Sequence, residues 1–159
     1  ARNELQAATF GVGAGKVRLL VSRGGAIAVE VTPLPEAPDE PVSVAVVPLP
    51  ASPHDFRLRH KTSDRSFYDE ARLAGGTFEV VFADPDGFLT EGSFTSLFVE
   101  QGGQLLTPPL SRGLLPGVLR ERLITEGKVV EADLRVEDLT GGFLVGNALR
   151  GLMRARLQQ

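Results

Sequence analysis

The sequence contains no cysteine. Disulfides, zinc-thiolate sites and cysteine nucleophiles are thereby excluded, and a reducing compartment is permitted. There is no surplus of positive charge either. The net charge is −3, with acidic and basic residues interspersed, so no nucleic-acid surface is implied. No apolar run approaches the ~20 residues that span a bilayer, and no signal-peptide pattern occurs, so no membrane partner and a cytoplasmic location are expected. The only histidines, His54 and His60, do not stand at metal-ligand spacing, and no Ser/His/Asp arrangement stands out. What is present is a globular composition, 42% apolar and 23% charged over 159 residues, enough for one hydrophobic core.

Residues 1–8 have the pattern of a helix interior rather than a helix start, so a piece of a longer protein is expected. Residues 16–22 and 26–31 read as a hairpin turned at Arg23-Gly24-Gly25, whose glycines supply positive φ. The glycines from Gly11 to Gly15 precede a strand, whereas a dinucleotide loop must precede a helix. Six prolines from Pro33 to Pro50 bracket a strand at 42–47 and make 33–41 an extended linker. This gives a predicted boundary between 1–40 and 41–159.

Beyond it, a strand at 56–59 is expected to end at Lys61. A helix should follow, capped by Ser63 or Asp64 and stopped by Gly75-Gly76, with Phe67 in the core and Tyr68 at the surface. Strands are expected at 77–83, 88–90, 93–100, 104–107, 128–132 and 143–145, with one more after a turn at 147–151. A helix is predicted over 117–124 and a single helical turn at 136–139, with Arg120 and Arg122 as exposed helix charges. Strands without long intervening helices predict an α+β domain whose sheet is mainly antiparallel.

Three residue groups suggest joint chemistry. The Lys61 amine can form a Schiff base with an aldehyde. A buried Glu91 can pair with a protonated pyridine nitrogen and keep the ring an electron sink. The helix start at Gly117-Val118-Leu119-Arg120 can present backbone N–H groups to a phosphate. Aldehyde, pyridine and phosphate are the three handles of pyridoxal 5'-phosphate. Each part also has an ordinary structural reading.

The order of the motifs is more specific. His60-Lys61-Thr62, Leu89-Thr90-Glu91-Gly92-Ser93 with Leu97-Phe98, Thr107-Pro108-Pro109-Leu110, Gly113-Leu114-Leu115-Pro116-Gly117 with Arg120, and Asn147-Ala148-Leu149-Arg150-Gly151 resemble the fold-type-IV pyridoxal-phosphate enzymes. These are the class IV aminotransferases and 4-amino-4-deoxychorismate lyases. The resemblance is greatest to the lyase-like region fused to aminodeoxychorismate synthase component I. It implies the D-amino acid aminotransferase-like large domain with a barrel-like sheet over 41–159, and the remnant of a small amino-terminal domain over 1–40. It further implies that Lys61 is the Schiff-base lysine, Glu91 the pyridine-nitrogen partner, and Gly117, Val118, Leu119, Asn147 and Ala148 the phosphate cup.

The activity implied is cleavage of an amine substrate to p-aminobenzoate and pyruvate for folate biosynthesis, in a homodimer. A class IV amino-acid aminotransferase, or an inactive module that stabilises a p-aminobenzoate synthase, are the alternatives. Members of the family usually carry threonine at Leu119, asparagine at Thr95 and serine or threonine at Ala148. Each hydroxyl lost from a phosphate is worth about 1.5–3 kcal/mol, and Asn147 is expected to replace one. With most of the small domain absent, the chain alone is expected to be inactive and to hold cofactor weakly. Apolar faces at 19–21 and 44–47 are expected to be left uncovered.

Overall fold

The computed structural model describes residues 2–158. They form two compact units, divided between Pro38 and Asp39. In the first, helix α1 (Arg2–Thr9) precedes a two-stranded antiparallel hairpin of β1 (Gly15–Val21) and β2 (Ile27–Pro33). Gly25, at φ 83°, provides the left-handed residue in its turn, and Ser22 N–H donates to the Ala26 carbonyl across 2.9 Å. Leu19 and Val21 are exposed, as expected for part of this hairpin.

The second unit is built on β3 (Val42–Pro48), β4 (Glu79–Ala83), β5 (Leu89–Gly92), β6 (Ser96–Gln101), β7 (Gln104–Thr107), β8 (Val129–Glu131), β9 (Phe143–Asn147) and β10 (Gly151–Leu157). They lie in the order β5-β4-β3-β10-β9-β6-β7-β8. The connection between β5 and β6 forces this sheet to curl. Five strand spacings on a flat sheet would separate those strands by about 24 Å, whereas three intervening residues span at most about 14 Å. Bending the sheet into a barrel-like wall brings first and sixth strands together.

Four of its ladders are antiparallel, and three are parallel: β3 with β4, β3 with β10, and β7 with β8. Two of the parallel pairs have a helical crossover between their strands. Helices α2 (Phe56–Arg59) and α3 (Ser66–Gly75) carry the chain from β3 to β4, and α4 (Val118–Thr125) carries it from β7 to β8.

The strand period of two sorts side chains between the faces. Val42, Val44, Val81, Leu97, Val99 and Val145 enter the main core, while Val80 and Phe82 point oppositely, to Leu58 of α2 and Tyr68 of α3. On another part of that outer face, Phe98 packs with Leu119 and Leu123 of α4. Residues 44–47 are therefore covered, contrary to expectation. Val44 is fully buried in the main core, and Ala45 and Val47 lie against the α2/α3 cluster.

Two local expectations fail, at α2 and at the start of α3. Residues 56–59 form a helical turn rather than a strand, because the Asp55 carboxylate accepts the Arg57 N–H at 2.9 Å and caps it. Neither Ser63 nor Asp64 caps α3, whose N-cap is Arg65 without a side-chain bond. Asp64 instead faces the Arg57 guanidinium at 3.5 Å.

Candidate functional site

The site is organised by the short connection after β5. Glu79, the first residue of β4, is completely buried. Its Oε1 accepts Val80 N–H at 2.9 Å, Ser93 N–H at 2.9 Å and Ser93 Oγ–H at 2.5 Å. Its Oε2 accepts Phe94 N–H at 3.1 Å and Thr95 Oγ–H at 2.7 Å. One carboxylate thus collects the polar groups of residues 93–95. Gly92 makes this approach possible, because a β-carbon there would lie 2.7 Å from Glu79 Oε2 and closer still to Thr95 Oγ1. Thr95, where asparagine is usual in the family resembled, is committed to this clamp.

Glu91 stands immediately before that clamp and is 4% exposed. Its Oε1 accepts the Tyr68 hydroxyl at 2.6 Å and faces Arg65 Nη2 at 3.7 Å. Burial pushes its carboxyl up to about 7, opposed by the Tyr68 hydroxyl, the Arg65 charge and the Leu115 backbone amide, with the Glu79 charge adding to the rise. Burial likewise raises the Tyr68 phenol. Tyr68 is 1% exposed, contrary to its expected surface position. Its ring meets Phe82 at 4.9 Å and Phe67 at 4.5 Å, and such an amphipathic ring packs inward when its hydroxyl has a buried acceptor.

The same connection touches the other candidate residues. A β-carbon at Gly117 would sit 2.8 Å from Ser96 Oγ, so glycine permits the start of α4 to lie against β6. No side chain caps α4, which leaves the first-turn amides of Val118 and Leu119 for another acceptor. The Leu119 side chain turns into the cluster with Phe98, Leu123 and Val129, leaving only its backbone at the helix start. Asn147 Nδ2 donates to the Phe94 carbonyl at 3.1 Å, while its Oδ1 accepts the Leu149 and Arg150 amides at 3.0 Å. Asn147 therefore fixes its turn to residue 94 and has one amide proton left to give. Ala148 is exposed on that turn.

Lys61 is placed differently. It is exposed between α2 and α3, and its amine has no hydrogen-bond or ion-pair partner among the described residues. Arg65, four positions later, links this segment to Glu91, since its Nη1 also donates to the Arg57 carbonyl at 2.8 Å. The structure thus places Gly117 and Asn147 against residues 94–96, just after Glu91, while Lys61 is attached through its chain neighbours.

Sequence reasoning missed Glu79, Arg65 and the inward Tyr68. A lone acid within the apolar run Phe78-Glu79-Val80-Val81-Phe82 was the available signal for Glu79. Arg120 also departs from expectation. It is 1% exposed, donates to the Pro108 carbonyl at 2.8 Å and pairs with Glu131, because the first turn of α4 points it toward the β7 end of the sheet. Arg122 is exposed, as expected.

A buried carboxylate, uncapped helix amides and an exposed amine match in kind the groups that a pyridine nitrogen, a phosphate and an aldehyde require. Comparisons with known proteins identify the family. The model of the family described as amino-transferase class IV matches residues 1–157. A Schizosaccharomyces pombe protein named "Putative aminodeoxychorismate lyase" is 26% identical over 98% of this chain and 72% of its own length. The aminodeoxychorismate lyase of Saccharomyces cerevisiae is 27% identical over 90% of this chain, which spans 51% of that protein. Among solved structures, a "Putative amino-acid aminotransferase" from Mesorhizobium loti superposes with a TM-score of 0.89 at 36% identity, covering 99% of this chain and 80% of that one.

Proposed function

Because the chain belongs to the amino-transferase class IV family of pyridoxal-phosphate enzymes and carries the fold-type-IV architecture, we propose that it supplies the cofactor-binding domain of a 4-amino-4-deoxychorismate lyase-like enzyme. The proposed domain limits are 1–40 for the remnant of a small domain and 41–159 for the large one. The observation that carries the cofactor reading is the buried Glu91 carboxylate near the end of β5, with the start of α4 lying against the beginning of β6.

In this reading Glu91 would hold the ring nitrogen and favour its protonated form, while the amides of Val118 and Leu119, with the remaining Asn147 amide proton and the exposed Ala148 turn, would hold the phosphate. When bound, the cofactor supplies an electron sink. Lys61 Nζ would be the group that takes a proton from the substrate and returns one as pyruvate leaves and the substrate ring becomes aromatic. The lyase choice draws on the two yeast relatives, each matching at least 90% of this chain. The amino-acid aminotransferase reading draws on the higher identity, 36%, of the solved Mesorhizobium protein.

Incubating the protein with pyridoxal phosphate should give a Schiff-base absorbance band that Lys61→Ala abolishes. A band unchanged in that variant defeats the reading. Product analysis then separates the reactions: p-aminobenzoate with pyruvate for the lyase, a new amino acid for the aminotransferase.

A further inference from the structure

We propose that Tyr68 and Arg65 are positioning residues that grip one oxygen of Glu91 and set whether this side chain is presented as a carboxylate or as a carboxylic acid. The proposal rests on the reading of Glu91 as the partner of the cofactor's ring nitrogen, and it adds what controls that partner.

The geometry is specific. Tyr68 O–H and Arg65 Nη2 converge on the same atom, Glu91 Oε1, at 2.6 Å and 3.7 Å. Arg65 is held in two further ways, by its Nη1 bond of 2.8 Å to the Arg57 carbonyl and by stacking of its guanidinium 4.2 Å above the Tyr68 ring. Tyr68 cannot turn away, because its ring is wedged between Phe67 and Phe82. The oxygen separation between Tyr68 and Glu91 is that of a hydroxyl donating to a charged acceptor.

The titratable and charged groups that face Glu91 come from three places. Tyr68 lies in α3 and Arg65 at its N-cap, Glu79 opens β4, and the Leu115 amide precedes α4. Arg65, Tyr68 and the amide favour the carboxylate, and burial with the Glu79 charge opposes it. These opposed influences leave the proton on Glu91 finely balanced, so a change in either gripping residue tips it. Two other buried groups face elsewhere: Arg120 toward Pro108 and Glu131, though its Nε has no partner among the described residues, and Glu79 toward residues 80 and 93–95.

The chain offers a direct reporter, since Tyr68 is its only tyrosine and it contains no tryptophan. Tyrosine emission is quenched when the phenol donates to a carboxylate, through transfer of its proton in the excited state. Emission of the 159-residue chain without cofactor is therefore expected to rise as pH falls through about 7. Glu91→Gln should abolish the transition. Arg65→Met should move its midpoint upward, because the acid loses its cationic neighbour, and Arg65→Lys should restore it in part. Emission that stays flat between about pH 5 and 9 in the folded parent chain, or a midpoint unmoved by Arg65→Met, overturns the proposal. Cofactor binding is measured separately. If the emission titrates but pyridoxal phosphate binds the parent chain and Glu91→Gln alike, the reading of Glu91 is wrong, and with it the role of the pair toward the cofactor.

Discussion

Glu91 and Lys61 are the two residues on which the proposed chemistry most depends, and the fold treats them oppositely. Glu91 is 4% exposed, bonded to Tyr68 and followed by residues that a second buried carboxylate holds at every polar atom it can reach. Lys61 is exposed, on a segment held by the backbone bonds His60 N–H to Phe56 and Thr62 N–H to His60. The carboxylate must be built into the wall, because its value lies in desolvation and fixed orientation. In its proposed role the amine would exchange bonds with incoming groups, and an amine locked in an ion pair would be a poor nucleophile. Stability and chemistry therefore occupy different segments, and substitutions should separate them.

The largest separation is expected from Glu79→Ala. It leaves the Val80, Ser93 and Phe94 amides and two hydroxyls without their buried acceptor. A loss of about 3–5 kcal/mol in urea unfolding is expected, with Glu79→Gln milder because an acceptor oxygen survives. A loss under about 1 kcal/mol would mean that residues 93–95 hold their shape unaided.

The pH dependence comes next. Burial raises Glu91 from an ordinary 4.5 to about 7, and raises Glu79 in the same direction. Between those values the folded chain binds a proton on Glu91 that the unfolded chain has released, so stability falls as pH rises. This contribution is complete below about 4.5 and is lost through about 7, on the order of 3 kcal/mol. Urea midpoints in the parent chain should decline over that window, and Glu91→Gln should flatten the decline. A parent chain that gains stability from Glu91 ionisation would reverse the sign and count against a desolvated carboxylate.

Tyr68→Phe is a smaller change, because the ring, its cation–π contact with Arg65 and its edge contact with Phe82 remain. Loss of the hydroxyl from Glu91 should cost about 1.5–2 kcal/mol at pH 8, where the acceptor is charged, and less at pH 5. Equal costs at both values would indicate a bond insensitive to the charge on Glu91.

How much of this was legible depended on the range over which a residue finds its partner. Gly76, at φ 62°, ends α3 where Gly75-Gly76 predicted a stop, and the 3-10 turn Val136–Leu139 lies where a single helical turn was expected, since both depend on near neighbours. Lys61 and Glu91 were singled out by motif order. Tyr68 and Arg120 were misjudged because their acceptors lie 23 and 11–12 positions away, across folds that periodicity does not describe. Glu79 was invisible as a site residue for the same reason, its partners in 93–95 being 14–16 positions distant. Even Phe56–Arg59 was misread as a strand, because the single Asp55 cap outweighs the extended pattern of its neighbours.

Lys61→Ala should have the smallest effect on stability and so sharpens the contrast with Glu91. The side chain is exposed and without a polar partner among the described residues, so its removal strands no buried group. Its backbone neighbours bond through His60 and Thr62, which the substitution leaves unchanged. Unfolding free energy should stay within about 0.5 kcal/mol of the parent chain, as for other surface positions. The absorbance change with pyridoxal phosphate should nevertheless vanish, because no other lysine stands in this segment; Lys16 and Lys128 are the remaining lysines, on β1 and just before β8. A variant that unfolds more easily by over 1 kcal/mol would mean that Lys61 is tied into the wall like Glu91, and the division between a fixed carboxylate and a free amine would fail.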